Sequence, residues 1–253
     1  MIEQMLAFLV YFFYNPSVLG IGLAVVFGAI WLACYRPPLI TKPWLWAVLA
    51  AGAILAPIAI AVAAFPLRFG ISWVYDDLWG REAVAQWALF TSLPSMYLFG
   101  LVREGFKLVP VVVYWWRKGR NIDPKLGLAA GAVSSAGFGI LEGQWTMNWA
   151  LASGWSWANV QLMGLEQLAV FWESFFVIGA NVAACALAGW GLAKGWGWQF
   201  YLLAALVFVF MNYGTILVGP GIISAVQLEF IIAAVAFLVT GVALWLGERK
   251  VET

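Results

Sequence analysis

Almost the whole chain consists of apolar runs long enough to cross a lipid bilayer, and no other feature restricts its fold as strongly. About 20 consecutive apolar residues span the hydrocarbon layer as a helix. Of the 253 residues, 64% are hydrophobic and 10% are charged, whereas soluble proteins carry about 25% charged residues. Within lipid, a helix satisfies its own backbone hydrogen bonds. The sequence therefore predicts an all-α, polytopic membrane helix bundle that forms one integral membrane domain over residues 1–253.

Seven runs are candidates for membrane-spanning helices. They are Val18–Tyr35, Trp44–Phe65, Val84–Trp116, Leu126–Leu151, Val160–Ala193, Gln199–Val218 and Ile222–Leu246. The third run is too long for one straight crossing and contains Pro94 and Pro110, so we expect it to be kinked or broken. Met5–Tyr14 is apolar but short, which suits an interfacial helix or an extension of the first span.

The basic residues predict the orientation of the bundle, because cytoplasmic loops are enriched in Lys and Arg. With seven spans, nine basic residues fall on one side: Arg36, Lys42, Arg117, Lys118, Arg120, Lys125, Lys194, Arg249 and Lys250. Only Arg68 and Arg81 fall on the other side. This bias predicts an N-out, C-in topology, in what we expect to be a prokaryotic plasma membrane. The longest segment outside the bilayer is then Pro66–Ala83, as an amphipathic surface segment or a partner-binding loop.

Composition also narrows the ligands and partners that we expect. The net charge of +1 gives no reason to expect a nucleic-acid partner. Cys34 and Cys185 lie in apolar runs and are expected to be packing residues. The chain has no histidine, so it lacks the usual ligand for haem. We predict no cofactor; bound lipid is expected, and a quinone or carotenoid would need only an apolar groove.

Charged residues within the third predicted span form the first polar cluster, Arg103, Glu104 and Lys107. Residues three apart share a helix face, so Glu104 and Lys107 can pair. Arg103 points about 100° away, and either reaches the membrane interface or meets another carboxylate. Charge inside a bilayer is costly and marks either a functional site or a buried pair.

Two further clusters lie on the fourth and fifth predicted spans. Gly131, Ser135 and Gly139 repeat at four-residue spacing, which predicts close helix packing, and Glu142 follows on the inner side of that seam. In the fifth span, the spacing of Glu166, Glu173 and Asn181 places these residues near one helix face. With Asn212 of the sixth span, these polar groups predict either a polar cavity or a buried network that fixes helix register.

The order and spacing of these motifs resemble a known family. Arg103-Glu104-x-x-Lys107, Gly137-Phe138-x-x-x-Glu142, a polar fifth span and Asn212-Tyr213 resemble the PrsW and YhfC-type intramembrane proteases, relatives of the CAAX-protease superfamily. The resemblance covers approximately residues 98–218. It implies a protease-like helical core with Glu104, Lys107, Glu142 and Asn212 as remnants of a catalytic centre.

The chain differs from the family pattern at three positions where the family has catalytic residues. The resemblance would place a glutamate at Arg103 and histidines near Ala180 and at Phe208. A zinc site needs about four N, S or O ligands, and Ala and Phe provide none, so we predict no metal site. Arg103 brings a positive charge where a bound cation would lie. The expected result is a catalytically degenerate member of the family.

Three functions follow as hypotheses. The first is a non-catalytic, pseudo-protease-like subunit that acts as a scaffold or accessory component among other integral membrane proteins and lipid. The second is an active intramembrane protease that uses Glu104 and Glu142 as its acid and base. The third is a channel or transporter with Glu166, Glu173 and Asn181 along its path.

Overall fold

The described part of the chain is helical, as the apolar runs predict. The structure, a computed structural model, describes residues 16–152 and 154–248, and these residues contain no β-strand. In chain order the helices are α1 (Val18–Cys34), α2 (Trp44–Ile58), α3 (Phe65–Trp79), α4 (Arg81–Gln86), α5 (Ala88–Arg117), α6 (Pro124–Ala152), α7 (Trp157–Met163), α8 (Ala169–Ala193), α9 (Gly197–Val218) and α10 (Ala225–Glu248). The apolar segment Met5–Tyr14 and the basic residues Arg249 and Lys250 lie outside the described residues.

Five helical stretches within these ranges are long and apolar enough to cross a membrane. They are Trp44–Trp79, Pro124–Ala152, Leu165–Ala193, Gly197–Val218 and Ala225–Glu248. Helix α1 is a shorter apolar helix of 17 residues, and α5 carries the charged cluster. The chain is therefore an integral, multi-pass helical membrane protein.

Helices α6 and α8 form the centre of the bundle. In the most apolar window of each stretch, 78% of Pro124–Ala152 and 83% of Leu165–Ala193 is buried, against 33% for α9 and for α10. Helices α1, α2 and α5 pack around α6, and α9 and α10 pack against α8. The two central helices consequently have protein neighbours on most sides, and the outer helices expose apolar faces.

Small residues allow the central helices to approach closely. A Cβ atom added at Gly127 would lie 2.5 Å from the carbonyl oxygen of Gly189, and one at Gly131 would collide with the carbonyl oxygen of Cys185. On another face of α6, a Cβ at Gly137 would collide with the carbonyl oxygen of Leu49 in α2. The small-residue repeat predicted from Gly131 is thus a packing seam, and it brings the polar side chains of α5, α6 and α8 together.

The third predicted span has its interruption at a different place from the one expected. Helix α5 is continuous through Pro94 and Pro110. The break falls before it, at Trp87, where φ is −101° and ψ is 23° and α4 ends. The predicted run thus contains a break, and this break lies at Trp87 rather than at either proline. Proline removes one backbone donor, and neighbouring helices allow such a helix to persist within a bundle.

Two other predicted boundaries differ from the structure. The fifth predicted run, Val160–Ala193, is divided at Gly164, whose φ of 94° suits glycine, and a short 3-10 segment, Leu165–Leu168, precedes α8. The segment expected to lie outside the membrane, Pro66–Ala83, consists of α3 and the start of α4, which Gly80 separates. Helix α3 continues from α2 through a π-helical turn, Ala59–Ala64. A 36-residue stretch is about 54 Å long at 1.5 Å per residue, which exceeds the hydrocarbon thickness of about 30 Å.

The close approach of α6 and α8 predicts a position-dependent effect of added methyl groups. Gly131→Ala should lower the free energy of unfolding by about 1–3 kcal/mol, because the new Cβ overlaps the backbone of α8. Gly241→Ala on α10 is the matched control, since nothing lies within 4 Å of its added Cβ. Thermal unfolding in mild detergent measures both variants. Equal stability of Gly131→Ala and Gly241→Ala would contradict the proposed seam.

Candidate functional site

A fully buried ion pair lies at the middle of α5. The ammonium Nζ of Lys107 is 2.5 Å from Oε1 of Glu104, and neither residue has exposed surface. The same Nζ donates a hydrogen bond of 2.8 Å to Oδ1 of Asn181 on α8. The predicted pairing of Glu104 with Lys107 is confirmed, and Asn181 extends it to a second helix.

Arg103 forms a second ion pair, with Glu142 of α6. Of the two alternatives for Arg103, the structure contains the one in which it meets another carboxylate. Arg103 is only 6% exposed, so its charge is compensated by Glu142 within the bundle. The four charges on Arg103, Glu104, Lys107 and Glu142 sum to zero, which lowers the cost of placing them within a membrane protein.

Three aromatic rings surround the guanidinium of Arg103. Its Cζ lies 4.6 Å from the ring centre of Phe208, 5.6 Å from that of Phe99 and 5.7 Å from that of Phe138. Rings at such distances attract a cation through their quadrupole. Phe138 also lies 5.2 Å from the Nζ of Lys107. One aromatic ring of α6 therefore contacts both cations of α5.

Three side-chain hydroxyls donate hydrogen bonds to backbone carbonyls of α5 and fix this helix against its neighbours. The hydroxyl of Ser134 on α6 donates to the carbonyl oxygen of Lys107 at 2.5 Å. From α9, the hydroxyl of Tyr201 donates to the carbonyl of Leu101, and that of Tyr213 to the carbonyl of Leu89, each at 2.7 Å. These bonds occupy carbonyl groups of α5 and hold the charged side chains in register with α6 and α9.

A cavity adjoins the Arg103–Glu142 pair, and we call it the Glu173 cavity. Its volume is about 130 Å³. It is lined by Arg103, Gly139, Glu142, Gly143, Thr146, Glu173, Ser174, Val177, Ile178, Asn181, Phe208, Met211, Asn212, Thr215 and Ile232. The lining residues come from five helices, and each of α6, α8 and α9 contributes residues spaced three or four apart, as one helix face requires.

A second cavity of about 270 Å³ lies next to the Glu173 cavity, along α9. It shares Phe208, Asn212 and Thr215 with the Glu173 cavity, and it also contacts Arg68 and Ser95. The side chains of Phe208, Asn212 and Thr215 therefore form a wall between the two spaces. Asn212 is held in that wall by a hydrogen bond of 2.8 Å from its Nδ2 to the carbonyl oxygen of Phe208.

Most of the polar residues predicted from the sequence converge, with one exception. Glu142, Glu173, Asn181 and Asn212 all line the Glu173 cavity, so a polar cavity and a buried network exist side by side. Glu166 does not belong to this group. It lies in the exposed 3-10 segment before α8 and does not line the Glu173 cavity.

Sequence reasoning missed Glu229 on α10, whose Oε2 is buried and has no hydrogen-bond partner among the described residues. A single carboxylate within the run Ile222–Leu246 was a visible signal, because charge is rare within membrane spans. It also missed Phe99 as an aromatic neighbour of Arg103. That contact depends on how α5 and α9 pack, so no local pattern indicated it.

The residues that could bind a metal do not gather in one place. Within residues 16–152 and 154–248, no group of three or more His, Cys, Asp or Glu side chains could hold a metal ion. Cys34 and Cys185 are free thiols. Cys185 is buried as a packing residue, as expected, whereas Cys34 is exposed on α1, contrary to expectation.

The chain was compared with protein-family models, with curated proteins and with solved structures, and none of them matches. The resemblance to the PrsW and YhfC-type proteases therefore remains a prediction.

The buried Arg103–Glu142 pair predicts strong coupling between its two residues. Arg103→Met and Glu142→Gln should each lower the free energy of unfolding by about 3 kcal/mol, because each leaves a charge without its partner. The double variant should recover most of one of these losses. A double-mutant cycle of unfolding free energies measures the coupling, and additive losses would contradict a direct interaction.

Proposed function

We propose that this chain is a non-catalytic integral membrane subunit that retains a protease-like core and serves as a scaffold or accessory component of a larger membrane assembly. One observation carries the proposal. Both carboxylates that the resemblance assigns to catalysis, Glu104 and Glu142, are engaged by cations of α5. Hydrolysis needs a carboxylate that is free to take a proton from water.

The surroundings of Glu104 support this proposal. Glu104 and Lys107 are both completely buried and 2.5 Å apart, so an attacking water would have to displace the lysine from its carboxylate. Asn181, which lines the cavity, accepts a hydrogen bond from the same lysine. The side chains of Glu104, Lys107 and Asn181 thus form hydrogen bonds with one another.

The two positions where the resemblance would place histidines also favour a structural role. Phe208 is 5% exposed and covers the guanidinium of Arg103 at 4.6 Å. Ala180 is fully buried in α8. A phenyl ring and a methyl group can neither bind a metal nor transfer a proton, and both fill space between helices.

The exposed apolar surface of the bundle supports lateral contacts with lipid or with other membrane proteins. Large apolar side chains on different helices face outward, among them Ile54 on α2, Phe210 on α9 and Phe237 on α10, each at least 60% exposed. Exposed apolar surface on several helices suits a lipid or protein partner.

The topology that we propose for this subunit has seven spans, with the N-terminus outside and the C-terminus inside a prokaryotic plasma membrane. Helices α1 and α5 would be spans in addition to the five long apolar stretches. The unequal distribution of Lys and Arg between alternate loops supports this arrangement.

Labelling of single cysteines tests the topology. With Cys34→Ser and Cys185→Ala as background, Asp77→Cys should react with a membrane-impermeant maleimide in intact cells. Thr41→Cys should react only after the membrane is permeabilised, because it lies in the loop before α2. Equal labelling of both positions in intact cells would contradict the proposed orientation.

Cleavage assays test whether the subunit is catalytically inactive. The purified chain and its Glu142→Gln variant are incubated in liposomes with a library of transmembrane peptides, and the products are identified by mass spectrometry. We expect identical product profiles, since Glu142 is tied to Arg103. Fragments that are formed by the native chain and lost in a folded Glu142→Gln variant would instead establish the protease hypothesis.

Photocrosslinking in the native host tests the scaffold role. A photoreactive amino acid is placed at Ile54, Phe210 or Phe237 on the outer surface, and at the buried Phe176 as the control. At least one outer position should give a discrete crosslinked protein of reproducible mass, and Phe176 should give none. If every outer position crosslinks only to lipid, the chain is not a subunit of a protein assembly.

A further inference from the structure

The Glu173 cavity has an inner and an outer end. At the inner end, Phe208 of α9 lies 4.6 Å from the guanidinium of Arg103. Thr215 follows Phe208 by seven residues on the same helix, which is about 10 Å at 1.5 Å per residue. Helices α8 and α9 pack together and are joined by residues 194–196 alone, so they run antiparallel. Glu173, near the start of α8, therefore lies at the same outer end as Thr215.

The guanidinium of Arg103 is the deeply buried group of this cavity that lacks hydrogen-bond partners. Arg103 is more than nine-tenths buried and lines the cavity. A guanidinium has five N–H donors. Glu142 compensates its charge, but its Nε makes no hydrogen bond to any residue that the structure describes. Because buried donors are nearly always satisfied, the inner end requires an acceptor from outside the described residues.

Two asparagines in the cavity wall add further donors. Oδ1 of Asn181 accepts a hydrogen bond of 2.8 Å from Nζ of Lys107. The amide group that Asn181 retains for the cavity is therefore Nδ2, which can only donate. Asn212 uses one N–H of its Nδ2 on the carbonyl oxygen of Phe208 and retains a second. Helices α5, α8 and α9 thus each contribute N–H donors to one cavity lining.

The charges at the cavity favour an uncharged acceptor over an anion. Arg103 is already paired with Glu142, and Lys107 with Glu104. An anion would add an uncompensated negative charge to a lining that also includes Glu173, and such a charge is costly within a membrane domain. A neutral oxygen acceptor, such as a carbonyl, satisfies the donors without that cost.

The remaining wall suits a carbon skeleton better than it suits water. Its apolar members are Val177, Ile178, Phe208, Met211 and Ile232. Such side chains give water few partners, and an apolar wall with a few polar groups is typical of small-molecule sites. The volume of about 130 Å³ admits the head of a molecule rather than a whole lipid. Thr215 is exposed, so a longer tail can leave at the outer end.

We propose that the inner end of the Glu173 cavity binds the uncharged carbonyl head of a lipid-soluble molecule, whose oxygen accepts hydrogen bonds from Arg103 and Asn181. A quinone ring and the ester carbonyl of a membrane lipid both have this chemistry. The site goes beyond the scaffold role and does not depend on it, because binding a carbonyl requires neither hydrolysis nor a partner protein. The proposal concerns binding alone and includes no chemical step.

The second cavity is a poorer site for a carbonyl, because its donors are already used. The hydroxyl of Ser95 donates to the carbonyl oxygen of Ser92 at 2.8 Å, and that of Thr215 to the carbonyl oxygen of Asn212 at 2.7 Å. The cation of this cavity, Arg68, is exposed. Arg68 therefore provides a matched control for Arg103.

Thermal unfolding of the full chain in lipid nanodiscs tests the proposal. The nanodiscs contain an ether-linked phospholipid, which has no ester carbonyl, and the probe is decylubiquinone, a fully substituted quinone with a ten-carbon tail. The control ligand is the dimethyl ether of its quinol, which keeps the ring and tail but has no carbonyl. At about 100 times the Kd, we expect the quinone to raise the melting temperature by roughly 5 °C or more, and the control ligand to leave it unchanged.

Infrared spectroscopy reports on the carbonyl itself. With ¹³C-labelled carbonyl groups in the quinone, the isotope-edited spectrum separates its C=O stretch from the protein bands. A hydrogen bond lowers this stretching frequency, so the bound quinone should show a band below that of the quinone in empty nanodiscs. A native chain that raises no such band would contradict the proposed contact with Arg103.

Matched variants locate the site. Arg103→Lys keeps the positive charge beside Glu142 but removes the Nε donor, and should weaken the affinity about tenfold or more. Asn181→Asp keeps an oxygen for Lys107 and replaces the Nδ2 donor by an acceptor, and should weaken the affinity similarly. Arg68→Lys makes the first change in the second cavity and should bind as the native chain does. The melting temperature of each variant without ligand shows whether it folds.

Ester-linked phospholipid with the same headgroup distinguishes the two sources of the carbonyl. If the lipid ester is the ligand, the native chain should melt higher in ester-linked than in ether-linked nanodiscs, Arg103→Lys should lose that difference, and the quinone should add nothing. A melting temperature that responds to neither the quinone nor the ester would overturn the proposal and leave water as the acceptor. An equal response to the carbonyl-free ligand, or a full response in folded Arg103→Lys and Asn181→Asp, would also overturn it. Loss of the response in Arg68→Lys alone would place the ligand in the second cavity instead.

Discussion

The positive charge of Lys107 is the constraint on which the arrangement of the bundle depends. A lysine with no exposed surface can remain charged within a membrane domain only if acidic and polar groups surround it. Glu104 supplies the charge from the same helix, and Asn181 supplies an oxygen from α8. From α6, the hydroxyl of Ser134 donates a hydrogen bond to the backbone carbonyl of Lys107. Three helices are therefore held at one level by the requirements of one residue.

The small-residue seam between α6 and α8 makes that arrangement sterically feasible. Glycines at 127, 131 and 189 leave the two backbones in direct contact, which brings Asn181 within reach of α5. The same seam places Glu142 beside Arg103. Close packing and charge compensation thus depend on each other, because larger residues in the seam would separate the charges from their partners.

The sequence was sufficient for features that depend on short spacing or on composition. The apolar runs predicted the helical membrane bundle, and the three-residue spacing predicted the Glu104–Lys107 pair. It was insufficient where the outcome depended on helix breaks. The seven-residue spacing of Glu166 and Glu173 indicated one shared face, but that inference assumed a continuous helix, and Gly164 with the following 3-10 segment interrupts it. The partner of Arg103 and the position of Glu229 depend on packing between helices, which periodicity along one helix does not encode.

The π-helical turn at Ala59–Ala64 has a consequence for the second cavity. A π-helical turn accommodates one more residue than an α-helical turn, so it rotates the following helix by about 100° relative to an uninterrupted α-helix. Helix α2 packs against α6, and α3 then packs against α5, with Arg68 directed into the second cavity. A regular helix through this segment would turn Arg68 away from that cavity. The position of Arg68 in the same cavity lining as Phe208 and Asn212 therefore depends on a single extra residue in the turn, far along the chain from either side chain.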